Sequence, residues 1–411
     1  MTLSLGKGFL VPVLMGSTLT YMGLYTTSAF ADKDDTFNFV VDSHYEHDNN
    51  LFRLPDGSAL PANAERSDNI WDNNIGFSID KDYSLQKFKF DYTHESVKYD
   101  NNTFLDFEAN NYVGAWLWAI TPGLTGTLSS KRTTDLVPFL DYRTASNPNI
   151  FNQNKRLTKE QLFNFDYSPH NVWHLLGGVS RLDVENSQDF AEQTSYKQTQ
   201  VEVGTKYTFP SNSYIMFKHR NRNGDQAENL APTVLVSPGF KEREEELSAF
   251  WLASGKSRVS ANFGHVTRDD DQFSIRDFSG YFGGVNYSWD VTGKINLAVD
   301  LSRRIGSYQG QFSSYNTVDR LSIKPTWAVT SKVSVNASAL ISKRRFLGSG
   351  PLGSDNREDN GVYYAVGADW TPRSTIKLGV ALQHDVRNSN ATTFDADYSA
   401  NIASIYGQLF F

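Results

Sequence analysis

An all-β fold is predicted: a single transmembrane antiparallel up-and-down β-barrel of about 18 strands (16 as second choice), preceded by a signal peptide. Three observations carry this reading. Segments of roughly 10–14 residues alternate apolar and polar side chains, the period of a strand with two unlike faces. Very short turns alternate with long polar loops along the whole chain. The last segment, from Ala396 to Phe411, sets Leu409, Gly407, Ile405 and Ala403 against Gln408, Tyr406 and Ser404, and closes on an aromatic residue. Such a strand suits a barrel whose last strand must pair with its first, because a bilayer offers no water to a free sheet edge. Phe411 and Leu409 are therefore the candidate signal for the barrel-assembly machinery.

At the amino end, Lys7 precedes an apolar run from Gly8 to Leu14, and Ala29-Phe30-Ala31 forms a small-x-small cleavage site before Asp32. Residues 1–31 are read as the signal peptide and 32–411 as the barrel. Pro12, Gly16 and Ser17 break the run too early for a membrane helix, which needs about 20 apolar residues. Losing Lys7 takes the net charge from −7 to −8, and this acidic balance argues against a nucleic-acid partner. The chain has no cysteine, which excludes disulfides, thiolate chemistry and a lipid-modified amino terminus.

Taken in order, the short turns fall at 81–83, 121–123, 168–171, 210–212, 254–256, 291–293, 331–332 and 372–374, each rich in Gly, Pro, Asn, Asp, Ser or Lys. The longer connections include 47–69, 133–157, 223–241 and 347–359. Eight short turns and one free strand at each end give 18 strands, with both termini on the short-turn, periplasmic side. The alternation is plain in 71–80, where Trp71, Ile75, Phe77 and Ile79 oppose Asp72, Asn74, Ser78 and Asp80. It is as plain in 85–95, 201–208, 295–304, 333–344, 362–370 and 376–387, whereas 162–166, 173–182 and 246–253 fit either register. Tyr83, Trp118, Trp173, Tyr207, Trp251, Trp289, Trp327 and Trp370 stand beside the short turns, where an aromatic girdle belongs. A soluble β-sandwich shares the period, but its strands run nearer five or six residues, roughly half the length seen here.

With the apolar face turned to lipid, the other face lines a water-filled bore. Asp72, Asp80, Asp91, Glu95, Asp106 and Glu108 would form an acidic wall. Lys218, Arg220, Arg222, Arg258, Arg304, Arg320, Lys324, Arg344, Lys377 and Arg387 would form a basic one, and opposed walls orient a polar or charged solute. The same residues could instead pair across strands and merely hold the barrel round. In the segment 104–120 the inward face reads Asp106, Glu108, Asn110, Tyr112, Trp116 and Trp118. Carboxylates and amides bond hydroxyls and aromatic faces take the C–H face of a sugar, so this is the expected glycan path. Trp118 also fits the girdle.

Signals for chemistry are weak. His44 and His47 offer two nitrogens with no third ligand, so no metal is expected. Gly348 to Gly353 matches a dinucleotide fingerprint in letters only, with Pro351 inside it and no helix after it, and no cofactor is expected. His94, His219 and His265 lie on outward faces without an evident nucleophile. No enzyme activity is expected.

Several stretches resemble one family, the EpsL-type outer-membrane barrel proteins of exosortase-linked exopolysaccharide operons. They are Asn50 to Gly57, Arg66-Ser67-Asp68, Tyr83 to Gln86, Leu105 through Trp118 to Ser129, Asp141-Tyr142-Arg143, Trp173 to Ser180 and Asn186-Ser187-Gln188. The likeness covers about the first half of the chain. It implies a pore through which an exopolysaccharide leaves, beside a periplasmic polysaccharide export protein and an inner-membrane chain-length regulator, with outer-membrane lipid around it. The expectation is thus an exopolysaccharide export pore. The alternatives are a general or sugar-uptake porin, an outer-membrane hydrolase with a Ser/His pair at one rim, or an adhesin working through loops 47–69 and 133–157.

Overall fold

Alternation along each strand and tight turns between strands produce one closed ring. The computed structural model describes residues 36–60, 63–137, 139, 153–188, 195–226, 238–308, 310, 312–350, 353–354, 356–392 and 395–411. The expected signal peptide, and Asp141-Tyr142-Arg143, lie outside the described residues. The first six strands are β1 (Phe37–Asp48), β2 (Asp68–Tyr83), β3 (Gln86–Tyr99), β4 (Phe107–Thr121), β5 (Leu124–Leu136) and β6 (Lys155–Tyr167). Next come β7 (Trp173–Asn186), β8 (Tyr196–Thr208), β9 (Tyr214–Gln226), β10 (Gly239–Ser254), β11 (Ser257–Asp270) and β12 (Phe278–Asp290). The last are β13 (Ile295–Ser307), β14 (Tyr315–Ala328), β15 (Val333–Leu347), β16 (Glu358–Arg373), β17 (Ile376–Ser389) and β18 (Tyr398–Phe410).

All 18 strands belong to one antiparallel sheet, each pairing with the next in the chain, and β18 pairs with β1. At the seam Val41 lies opposite Leu409, and the backbones of Phe39 and Phe411 exchange two hydrogen bonds of 3.0 and 2.9 Å. Eight short turns join the strands. Seven overlap the expected positions, while that expected at 81–83 lies at 84–85 because Lys81 to Tyr83 still pair with β3. Strand count, closure and the sidedness of the loops follow the sequence reading.

Side chains directly opposite across strands share a face, so the pairing register sorts inside from outside. The outward set runs through Phe39, Phe77, Tyr92, Leu128, Phe163, Val179, Val201, Phe217, Leu247, Phe263, Val285, Leu301, Ile323, Ile341, Val362, Leu382 and Ile405. The girdle aromatics end the same face, with Tyr83 71%, Trp173 63% and Trp251 60% exposed, as side chains wetted by lipid should be. Trp118 is less exposed because its ring lies flat over Gly126, where an added Cβ would sit 2.4 Å from the indole. The segments that fitted either register are fixed by their neighbours: Phe163 and Phe165 of β6, Leu175 and Val179 of β7 and Leu247 of β10 all point outward.

Strand β4 corrects the sequence reading. Tyr112 lies opposite Tyr92, Trp116 opposite Phe88, Asn110 opposite His94 and Glu108 opposite Ser96, all on the lipid side. Phe107, Ala109, Asn111, Val113, Ala115 and Leu117 face the bore instead, Ala109 lying opposite the bore residue Glu95. Asp106 stands before the strand, pairs with the outward Lys98 at 3.2 Å and accepts the amide of Tyr99 at 2.9 Å. The physical reason is that β4 carries apolar residues on both faces. Tyr112, Trp116 and Trp118 go to lipid, Glu108 and Asn110 go to the outer interface, and Phe107, Asn111 and the aliphatic residues are left for the bore.

The first outer loop folds inward. Phe52 and Leu54, 0% and 2% exposed, pack with Ile70, Val97, Phe107 and Ala109, which are bore-facing residues at the outer ends of β2 to β4. Asn50 ties the turn to itself through Leu54 and reaches the carbonyl of Ser399 in β18 at 2.9 Å. Arg53 sits at φ 53°, a left-handed conformation costly for a side chain with a Cβ, and pairs with Asp48 at 2.6 Å. The loop base is fixed by Asp68, whose carboxylate accepts the amides of Asn101 and Asn102 and the Asn102 side chain.

Candidate functional site

The site is the charged lining of the bore, with three main sectors. Beside them, on β16 and β17, the inward Lys377 and Arg387 lie 3.7 Å from Asp369 and Asp359 respectively. On β13 to β15 the inward residues include Arg304, Arg320, Lys324 and Arg344. Arg304 and Arg344 sit on one rung with Val318 between them; Arg320 is one rung below, and Lys324 two rungs below that. Among the described residues no carboxylate lies within ion-pair distance of Arg304, Arg320 or Lys324, while Arg344 stacks 4.6 Å above the Phe346 ring. Ser302, Ser322, Thr326, Asn336 and Ser342 share this face and supply hydroxyls and amides. One carboxylate shares the face: Asp300, opposite Ser322 on the rung between Arg320 and Lys324, accepts the Ser302 hydroxyl at 3.4 Å. The arrangement is a descending strip in which cations outnumber this one carboxylate, set among hydrogen-bonding groups.

The second sector, β8 to β11, is neutralised. Lys218, Arg220 and Arg222 line the bore as expected, but they are locked to carboxylates on either side. Arg220 pairs with Glu202 at 3.2 Å, with Glu246 at 2.6 Å and with Glu244, and Arg222 pairs with Glu244 at 2.7 Å and with Glu242. Lys218 reaches Glu202 at 2.9 Å. The cause is in the sequence, where Lys218, Arg220 and Arg222 at every second position of β9 face Glu242, Glu244 and Glu246 at every second position of β10. Arg258 likewise lies 3.5 Å from Asp290. For these four residues the cross-strand pairing considered at the outset describes the geometry.

The third sector is acidic and belongs to β1, β2 and β3. Asp42, Glu46, Asp48, Asp68, Asp72 and Glu95 face inward there. It does not oppose the basic strip: β14 stands five strands from β1 in the closed order, whereas its opposite number in an 18-strand ring is β5. What faces the strip is therefore a wall that is neutral through Val113, Ala115, Leu117, Thr125, Thr127 and Ser129 and carries Lys131 and Asp135, opposite Glu160 and Arg156, nearer the outer end. Four of the carboxylates, Glu46, Asp48, Asp68 and Asp72, are 6%, 1%, 1% and 8% exposed around the inward loop.

His44 and His47 point to opposite faces, since His44 lies opposite Asp72 and His47 opposite Asn69, and cannot share an ion. The described residues hold no group of three or more side chains placed for a metal. One constellation escaped the sequence reading. Near the short-turn end of the bore His174 bonds Asp166 at 2.6 Å and Thr208 at 3.1 Å, and Lys206 takes the second Asp166 oxygen at 2.6 Å. With that oxygen occupied by an ammonium, the four residues form a charge-balanced clamp across β6, β7 and β8.

No family model matches the chain, and no curated protein matches it in sequence. Among solved structures it is similar to OccK2 (OpdF) of Pseudomonas aeruginosa, at 10% identity and TM-score 0.53, covering 93% of this chain and 99% of that one. The same protein in complex with glucuronate matches at 11% identity and TM-score 0.51, covering 93% and 99%. OccK1 (OpdK) of that organism matches at 12% identity and TM-score 0.50, covering 93% and 100%. The likeness is one of fold. Closed ring, outward apolar belt and aromatic girdle make this an 18-strand outer-membrane barrel. Substrate has to be argued from the lining.

Proposed function

We propose that the protein is a passive outer-membrane channel that favours small anionic, hydroxyl-bearing solutes, of which a sugar acid is the type. The observation that carries this reading is the strip of Arg304, Arg320 and Lys324, which among the described residues has no carboxylate at ion-pair distance and only Asp300 set between its rungs, beside serine, threonine and asparagine. Cations at successive depths let an anion step along the wall, and neutral donors replace the water it sheds. Binding stays weak because each site is wet and single-charged, as conduction requires. The test is a planar-bilayer measurement with the purified barrel in a salt gradient. Chloride should be favoured over potassium, and Arg320→Gln should reduce the preference by about threefold. A cation preference in the parent protein would overturn the reading.

The second reading, export of an exopolysaccharide together with a periplasmic export protein and a chain-length regulator, is favoured by the resemblance over the first half of the chain. Tyr112 and Trp116, the aromatics it would have used, face lipid, so an exported chain would run along the basic strip and would itself be acidic. Deleting the gene separates the two. Loss of surface polysaccharide with unchanged uptake favours export; slowed uptake of a sugar acid with normal polysaccharide favours the channel.

A further inference from the structure

We infer that the first outer loop, through Phe52, Arg53 and Leu54, sets the charge preference of the bore by sealing the acidic side of its mouth from passing solute. This rests on the anion-channel reading. Glu46 and Asp72 lie on the inward face, where a carboxylate lining draws cations. Their direct cross-strand partners, Ile70 and Val97, are buried under Phe52 and Leu54 in one apolar cluster. The carboxylates next to that cluster are 6% and 8% exposed. The equally buried Glu202 and Glu244 of the bore wall are covered by their ion-pair partners, whereas Glu46 and Asp72 lie beside the apolar cluster of the loop. The loop also brings its own counter-charge, since Arg53 pairs with Asp48 at 2.6 Å.

The geometry keeps the two charged sectors apart. Five strand steps separate β1 from β14, about 24 Å along the wall at ~4.8 Å per strand. That exceeds the ~8 Å over which charge is felt at physiological salt. The basic strip therefore cannot neutralise the acidic sector from where it stands. The nearer cations are engaged elsewhere, Lys377 and Arg387 of β17 with Asp369 and Asp359 and Lys87 and Lys89 of β3 with Asp80, so the loop is what lies over Glu46 and Asp72. It is held by hydrogen bonds at both ends, to Ser399 and through Asp68 to Asn101 and Asn102, so it is a fixed cover.

The experiment compares ion selectivity in planar bilayers for four barrels: the parent, Phe52→Ser/Leu54→Ser, Glu46→Gln/Asp72→Asn, and all four substitutions together. Releasing the loop should lower the chloride-to-potassium ratio by about threefold. The carboxylate substitutions should leave the ratio unchanged in the parent and restore it in the released barrel. A released barrel with larger conductance but the parent's ratio would overturn the inference, as would carboxylate substitutions that act equally in both backgrounds. A parent barrel without anion preference would sink the anion-channel reading, while the change on release would still report on the cover. Because the chain has no cysteine, accessibility gives a measure that does not need the released variant to assemble. With a water-soluble methanethiosulfonate, Lys324→Cys should react at least about tenfold faster than Asp72→Cys, and equal rates would refute the cover.

Discussion

Tyr112 and Trp116 decide which way β4 faces, and they make the register testable one residue at a time. Arginine at either position would put a charge against lipid, a cost of roughly 2–4 kcal/mol near the midplane. Tyr112→Arg and Trp116→Arg should therefore lower the amount of heat-modifiable barrel in outer membranes. Val113→Arg and Leu117→Arg should assemble and change conductance, because their side chains enter the bore. The opposite result would restore the register read from sequence. That reading failed for a definite reason: alternation reports a face only when the faces differ, and this segment has aromatics on one and Ala109, Val113, Ala115 and Leu117 on the other. The acid–base ladder was legible but went unread. Lys218, Arg220 and Arg222 at every second position, with Glu242, Glu244 and Glu246 at the same spacing in the next strand, announce their pairing. Arg220, with a side chain 2% exposed, has the most to lose. Arg220→Ala would leave Glu202 and Glu244 without it, and about 3–5 kcal/mol of stability should go, read as a lower urea midpoint for the lipid-embedded barrel.

At the scale of elements, the strands were the readable part and the first loop was not. Most strands announce themselves by period two, the exceptions being β4 and the segments 162–166, 173–182 and 246–253, and most short turns by their small or polar residues. An inward-folding loop has no period. Its signal was compositional, Phe52 and Leu54 standing in a segment otherwise suited to water, with Pro55 and Gly57 turning the chain back. The loop's anchor is expected to be Asp68. Asp68→Ala would leave the amides of Asn101 and Asn102 without acceptors, at about 1–3 kcal/mol each. Protease added to whole cells should then cut between β1 and β2, where the parent resists. Strand β18 carries a second expectation. Removing Phe411 deletes both backbone bonds to Phe39, and assembled barrel should fall well below the parent level in a heat-modifiability assay. Parent-level assembly would show that the final residue is dispensable for closure.

For the whole molecule, the lining makes flux a function of salt as well as of solute. Liposomes carrying the barrel should swell faster in a sugar acid than in a neutral sugar of similar size. The advantage should shrink as ionic strength rises and the ~10 Å reach of the Arg320 and Lys324 charges at 0.1 M contracts to ~3 Å at 1 M. A salt-independent ratio would mean that size alone selects. The seam where β18 meets β1 has a different consequence, for the order of events in folding. Of the eighteen pairings in the ring, seventeen join strands adjacent in the chain and one joins residues 40–48 to residues 402–410. Seventeen contacts form locally and cheaply; the last closes a loop of nearly the entire polypeptide, with a chain-entropy cost of roughly 5 kcal/mol beyond its constant part. A barrel built this way has no early nucleus that spans its ends. Weakening the seam should slow the final sealing step while leaving the earlier growth of the sheet at its ordinary pace, so that the slow species is an open, nearly complete sheet with two unpaired edges.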